Sequence, residues 1–306
     1  MADATARDAG EFGLIARITE RLGSGPQVLL GPGDDAAVVA APDGRVVATT
    51  DLLVEGVHFR RDWSSGYDVG RKAAAANLAD VMAMGGTGTA LLVGLSAPPD
   101  LPVDWALALA DGLRDEAALV GAVVVGGDTT AGERVVVAVT ALGDLGGRPP
   151  VTRAGACPGD VVVVAGQLGR SAAGLAQLER GERTGVHVEA HLRPQPPYAL
   201  GPLLAAAGAT AMCDVSDGLL ADLGHVARAS GVVIGLEAGL LRSVASGLAR
   251  EHVLSGGEDH ALVATLPAGT PLPLGVTEIG RVDAGPPGVL LDGEPATGTG
   301  GWEHFT

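Results

Sequence analysis

At 306 residues and 47% hydrophobic content the chain exceeds the usual single domain and is too apolar for disorder, so two domains with their own cores are expected. A formal charge of −16 argues against nucleic acid, whose phosphates call for clustered Lys and Arg, and against anionic membrane surfaces. With only Cys157 and Cys213, no signal-peptide core at the N-terminus and no uncharged apolar run approaching the ~20 residues that span a bilayer, the expectation is a cytoplasmic protein without membrane partners or a disulfide framework.

In chain order, Glu11 to Leu22 has helical apolar spacing and stops at Gly23. Short β-rich runs follow at Val28 to Leu30, Ala36 to Ala40 and Arg45 to Thr50, divided by Gly-Pro-Gly and Pro-Asp-Gly turns. Asp68 is placed to cap an Ala-rich helix through Met84, on which Lys72, Ala76 and Asp80 share one face and Asn77 stands beside Asp80. Thr89 to Leu95 reads as a buried strand and Asp104 to Val120 as an amphipathic helix. Val123 to Val125 is expected to be a strand ending at a Gly-Gly-Asp-Thr-Thr loop, and Val135 to Leu142 another strand.

Gly146-Gly147-Arg148-Pro149-Pro150 is the most punctuated stretch near mid-chain and divides the sequence into residues 1–148 and 149–306. Beyond it come a strand at Val161 to Ala165, a helix capped by Ser171, and Ala211-Met212-Cys213 leading into a helix that runs to about Ala229. Val232 to Leu236 and Ala261 to Leu266 are further strands. Strand and helix alternate, as in an α/β or mixed α+β enzyme.

Seven aspartates fall in five short motifs: Gly33-Asp34-Asp35, Thr49-Thr50-Asp51, Asn77-Leu78-Ala79-Asp80, Gly126-Gly127-Asp128-Thr129-Thr130 and Asp214-Val215-Ser216-Asp217-Gly218. Carboxylates, hydroxyls and backbone oxygens are the ligands hard cations prefer, so several magnesium ions are expected. Each motif alone has a structural explanation as a turn or cap; five together exceed it. Gly31-Pro32-Gly33 superficially matches a dinucleotide fingerprint, but β-type residues follow where a helix is required. The lysine loop of common nucleotide-binding proteins is absent, and Lys72 is the only lysine in the chain. Taken singly, His58 reads as a structural histidine and Arg153 as a surface charge. The tail aromatics Trp302 and Phe305 suit packing or stacking on a flat heterocycle.

Residues 33–36, 49–59 (Thr-Thr-Asp-Leu-Leu-Val-Glu-Gly-Val-His-Phe), 77–85, 126–130, 214–219 and 255–259 (Ser-Gly-Gly-Glu-Asp) together resemble the bacterial thiamine-monophosphate kinase family, within the aminoimidazole ribonucleotide synthetase-like superfamily. The similarity runs from Glu11 to Phe305. It implies a two-domain fold whose N-terminal domain pairs into a β-barrel homodimer, with ATP in a dimer-associated cleft facing the second domain. The implied reaction moves the γ-phosphoryl group of ATP onto thiamine monophosphate.

By the same resemblance Asp35, Thr49, Thr50, Asp51, Asp80, Asp128, Asp214 and Asp217 hold magnesium. Asp51, Asp80, Asp128 and Asp217 form the catalytic set. Gly127, Asp128, Arg153 and Ser216 meet the nucleotide, and His58, Glu258 and Trp302 the thiamine phosphate. Two departures from the family pattern are Arg170, where aspartate is usual, and Leu119-Val120, where an aromatic near the adenine is expected. Alternative readings are another ATP-dependent synthetase of the superfamily or a nucleotide and metal sensor. The acceptor is itself an ionised phosphate, so the obstacle is anion repulsion and no strong base is needed; direct transfer without a phosphoenzyme is expected.

Overall fold

A computed structural model of the chain describes residues 5–30, 37–245 and 247–296. Asp35 and Trp302, with Gly33, Asp34, Ala36 and the tail to Phe305, lie outside the described residues. The chain groups into two compact units, Met1–Val81 with Thr87–Gly147 and Met82–Gly86 with Arg148–Thr306.

The first unit runs α1 (Ala6–Thr19), β1 (Val28–Leu30), β2 (Val38–Val39), β3 (Val47–Val54), α2 (Gly66–Ala83, whose last two residues group with the second unit), β4 (Thr87–Ala97), α3 (Val103–Ala118), β5 (Val123–Ala131) and β6 (Val136–Asp144). Strands β3, β6, β4 and β5 form one open four-stranded sheet in that order; β4 and β5 are parallel, the other pairs antiparallel. Helix α1 begins earlier than its apolar spacing suggests. Thr5 and Asp8 form a reciprocal capping box that starts it, and a backbone break at Gly10 (φ 68°) divides it. Helix α2 is capped by Ser65 rather than Asp68: the Asp68 N–H donates to Ser65 Oγ (3.2 Å), while the Ser65 N–H donates back to Asp68 Oδ2 (2.9 Å).

Small residues bring α2 onto its neighbours. A Cβ at Gly66 or Gly70 would run into the carbonyl oxygens of Trp105 and Leu109 on α3, and one at Gly112 into that of Tyr67 on α2. The two backbones therefore touch. On the sheet side Leu78 lies over Gly88 of β4 and Val81 over Gly143 of β6, while Ala73 to Ala76 are buried.

Two motifs that read as loops are strand interior. Thr49-Thr50-Asp51 sits inside the eight-residue β3, paired with Ala141, Thr140 and Val139. Gly126 to Thr130 continues β5, with Gly127 opposite Val93. A side chain at 127 would collide with the Val93 carbonyl, so glycine there satisfies the parallel pairing.

The second unit runs β7 (Val161–Ala165), α4 (Arg170–Glu179), α5 (Val186–Leu192), α6 (Leu200–Ala206), β8 (Ala211–Val215), α7 (Leu219–Ser230), β9 (Val233–Leu236), α8 (Ala238–Val244), α9 (Arg250–Ser255), β10 (Ala261–Leu266), β11 (Val276–Asp283), β12 (Gly288–Leu291) and β13 (Glu294–Pro295). Its seven-stranded sheet has the order β13-β12-β9-β11-β7-β10-β8. Helix α7 covers one face, burying Leu219, Leu223, Val226 and Ala227 in a cluster with Val162, Val164, Cys213, Val215, Val263 and Ile279. Gly169, not Ser171, is the N-cap of α4, in the left-handed conformation (φ 78°).

Replacing Gly70 by alanine forces α2 and α3 apart, and overpacking of this kind costs about 1–3 kcal/mol. Urea unfolding of Gly70→Ala checks this; a midpoint equal to wild type would contradict the backbone contact.

Candidate active site

In the first unit the two-residue period of β3 sorts its polar motif. Thr49, Asp51 and Leu53 pair with Ala141, Val139 and Val137, all buried, whereas Thr50 and Leu52 pair with half-buried Thr140 and Ala138 on the other face. On the α2 side, Thr49 Oγ1 donates to Asp80 Oδ2 at 2.6 Å, and the Asp51 N–H donates to Asn77 Oδ1 at 3.0 Å. Asn77 is fully buried and its amide donates to the Ala73 carbonyl at 2.9 Å, which fixes the orientation of its oxygen. The Asp51 side chain is exposed and that of Asp80 half-buried.

Thr50 is turned away from this group: its hydroxyl donates to the Val139 carbonyl (3.0 Å) and accepts from Thr140 Oγ1 (3.1 Å). Asp128 is exposed and accepts the Thr129 N–H (2.9 Å). Gly126 to Thr129 line a cavity of about 1160 Å³ bounded by α1, α3 and the open face of the sheet.

His58 follows β3 in a tight turn. Its Nδ1 accepts the Val54 N–H at 3.0 Å, and its carbonyl accepts from Lys72 Nζ at 3.2 Å.

In the second unit, the loop between β8 and α7 and the loop between α9 and β10 lie against each other. The Glu258 N–H donates to the Ser216 carbonyl (2.8 Å) and the His260 N–H to that of Val215 (3.0 Å). A Cβ at Gly257 would strike the Ser216 carbonyl, and one at Gly218 the backbone of Ser255. Glu258 and His260 are held at φ 61° and 50°, a conformation costly for non-glycine residues and sustained here by these contacts. Buried Asp214 lies 3.0 Å from His260 Nδ1. The Glu258 carboxylate is 3.7 Å from His191 Nδ1, which contacts Ser171 Oγ at 3.0 Å. Arg153 is exposed; its carbonyl accepts from Ser230 Oγ (3.1 Å), and its charge reaches Cys213 and His225.

Three residues that the sequence reading did not single out as site groups organise this region. Asp222, in the first turn of α7, accepts the N–H groups of Asp217 and Gly218 (3.1 Å each) and thereby caps its own helix. Burial, and next the carboxylates of Asp214 and Asp217, push its acid up to about 7. Asp259 reaches α4 from about ninety positions away, accepting from the N–H groups of Gly169 (2.5 Å) and Ser171 (2.8 Å); burial raises its acid to about 6. His260 backs Asp214. Only Asp222 left a local signal, an acid in a helix first turn; the others depend on pairing distant in sequence.

Among the described residues no three His, Cys, Asp or Glu side chains form a ready metal cluster. The donors present are carboxylates and hydroxyls, and crowding of Asp214, Asp217 and Asp222 is the kind of repulsion that a hard cation relieves, so the residues fit magnesium.

The AIR synthase related protein N-terminal domain family matches residues 33–145, and the C-terminal domain family of the same name residues 157–269. The thiamine-monophosphate kinase of Mycobacterium tuberculosis is 51% identical, over 98% of this chain and 93% of that protein. The chain belongs to the thiamine-monophosphate kinase family. Members of that family with solved structures share the fold described above. The enzyme from Stenotrophomonas maltophilia K279a superposes with a TM-score of 0.78 at 36% identity, covering 92% of this chain and 95% of that one. The complex of AaThiL with AMPPCP and TMP gives 0.78 at 35%, covering 98% of each. The expected family, kinase class and two-domain α/β fold are thereby borne out. Among the described residues no helix is long and apolar enough to cross a membrane.

A carboxyl raised to about 6 in the fold but near 3.8 in the unfolded chain contributes stability that is present below about pH 3.8 and lost as pH rises through 6. Wild type should therefore lose more stability than Asp259→Asn between pH 4 and pH 7, by up to about 3 kcal/mol. Urea titrations at the two pH values read the difference, and parallel losses would refute the raised Asp259.

Proposed function

We propose that the chain transfers the γ-phosphoryl group of ATP directly to the phosphate of thiamine monophosphate, giving thiamine diphosphate and ADP. The observation that carries this reading is the near full-length likeness to AaThiL, a protein solved with AMPPCP and TMP together. The chemistry of the residues agrees. An acceptor phosphate is ionised near neutral pH and brings its own nucleophilic oxygen, so the protein must hold two anions in line.

Thr49, Thr50, Asp51, Asp80 and Asp128 of the first unit, with Asp35, and Asp214 and Asp217 of the second, are the proposed magnesium ligands. Several ions bound there would screen donor from acceptor and stabilise charge on the transferring group. Asn77 and Thr49 fix the groups beside them, the Asp51 backbone and the Asp80 carboxylate, before any ligand arrives. Gly127, Asp128, Arg153 and Ser216 take the nucleotide, and the cavity beside Gly126 to Thr129 offers apolar walls for its base. His58, Glu258 and Trp302 take the thiamine phosphate.

We assign the active form to a homodimer. Leu52 is 56% exposed and Leu92 38% exposed on the open sheet face, where a second copy would cover them and close a barrel. Its two free thiols suit the reducing cytoplasm.

Purified protein incubated with magnesium, ATP and thiamine monophosphate should give equimolar thiamine diphosphate and ADP by chromatography, and none with EDTA. Asp51→Asn and Asp128→Asn should fold normally and lose turnover by at least about a hundredfold, the scale on which a charge-stabilising group acts. ADP without thiamine diphosphate would assign a different acceptor; activity within a few-fold of wild type would remove these carboxylates from the metal set.

A further inference from the structure

Of the 20 basic residues in the chain, Lys72 alone is a lysine, and its neighbour in sequence is an arginine. It is also 3% exposed, in the stretch of α2 where Ala73, Ala74, Ala75 and Ala76 are buried. Burying an ammonium is costly unless it is held by hydrogen bonds, so a chain that otherwise uses arginine has kept a compact point charge at one interior position. Its amine donates to the carbonyl oxygen of His58 at 3.2 Å.

The turn carrying His58 is fixed at every other point by ordinary contacts. The N–H groups of Val57 and His58 donate to the Val54 carbonyl (3.0 Å each), and that of Gly56 to the Phe59 carbonyl (2.8 Å). Glu55 accepts the Val135 N–H (3.1 Å) and Arg61 Nε (2.6 Å), and Phe59 is buried with its ring stacked on Trp105. The Val54 N–H occupies His58 Nδ1, so the neutral ring carries its proton on Nε2, at the opposite edge. A backbone bond thus holds Nδ1 of the ring, and the lysine holds the peptide of the same residue.

We infer that Lys72 is a positioning residue for the acceptor phosphate, acting through His58. The ammonium holds the His58 peptide from the interior, so that the ring, with Nδ1 accepting from Val54, directs its Nε2–H toward a phosphate oxygen. An arginine would not serve, because a guanidinium directs its donors in a planar fork where the ammonium offers a compact point charge. This role rests on the proposed reading of His58 as an acceptor-side residue.

Steady-state kinetics of Lys72→Met and Lys72→Arg test it. Both should raise KM for thiamine monophosphate at least about tenfold, while KM for ATP stays within twofold and circular dichroism is unchanged. Equal rises in both KM values, or a KM for thiamine monophosphate within twofold of wild type, would overturn it. Should the variants fail to fold, the wild-type enzyme still decides. Lysine labelled with ¹³C at Cε gives one side-chain resonance, which should shift on saturation with thiamine monophosphate and hold still with a non-hydrolysable ATP analogue. No shift with thiamine monophosphate would overturn the inference. Failure of the wild type to make thiamine diphosphate would instead sink the parent reading, and is seen before any variant is made.

Discussion

The first unit depends on the backbone contact between α2 and α3. Gly66, Gly70 and Gly112 let the two helices meet without side chains between them, and Gly88 and Gly143 let Leu78 and Val81 settle onto the sheet. That seating decides where the polar residues of α2 end up. Asn77 and Asp80 meet β3 at hydrogen-bond distance of the Asp51 backbone and the Thr49 hydroxyl, and Lys72 meets the turn that follows. A shift of the helix by even an ångström would break all three, so glycines far from any reacting atom set the geometry of the carboxylates.

The second unit solves a related problem by different means. Here two loops are pressed together closely enough that Gly218 and Gly257 tolerate no side chain, and Glu258 and His260 accept left-handed backbone. Asp259 ties the same loop to the start of α4, while Asp222 ties the preceding loop to the start of α7. Burial first, and then repulsion from Asp214 and Asp217, raise the acid of Asp222. Strain and repulsion of this kind, stored in a rigid core, are what a cationic ligand is able to relieve.

Much of the architecture was legible in the chain. Helices α2 and α3 and the buried strands β7 and β10 declared themselves through length and apolar pattern, and the acidic motifs pointed to hard-cation chemistry. The motifs' local structure was misread where glycine and aspartate were taken for turn signals. Gly127 is small because Val93 lies opposite it in a parallel pair, and Asp51 is in mid-strand because its neighbours alternate between faces. Neither constraint exists until the strands pair. Strands β11, β12 and β13 lie in a glycine- and proline-rich stretch whose pattern is weak without its partners. The roles of Asp259 and His260 rest on contacts with residues 46 to 90 positions away, beyond any local pattern.

In the proposed reaction, catalysis is a matter of holding two phosphates in place by fixed polar groups. The histidines beside the acidic motifs have a ring nitrogen already engaged: His58 Nδ1 by the Val54 N–H, His191 Nδ1 by Ser171, and His260 Nδ1 by Asp214. The acceptor's own oxygen is then the attacking group, and one displacement at phosphorus inverts its configuration. The most direct measurement is turnover of ATP made chiral at the γ-phosphorus with oxygen isotopes, followed by stereochemical analysis of the β-phosphate of thiamine diphosphate. Inversion is the predicted result; net retention would mean two successive displacements through a phosphorylated side chain and would contradict the account.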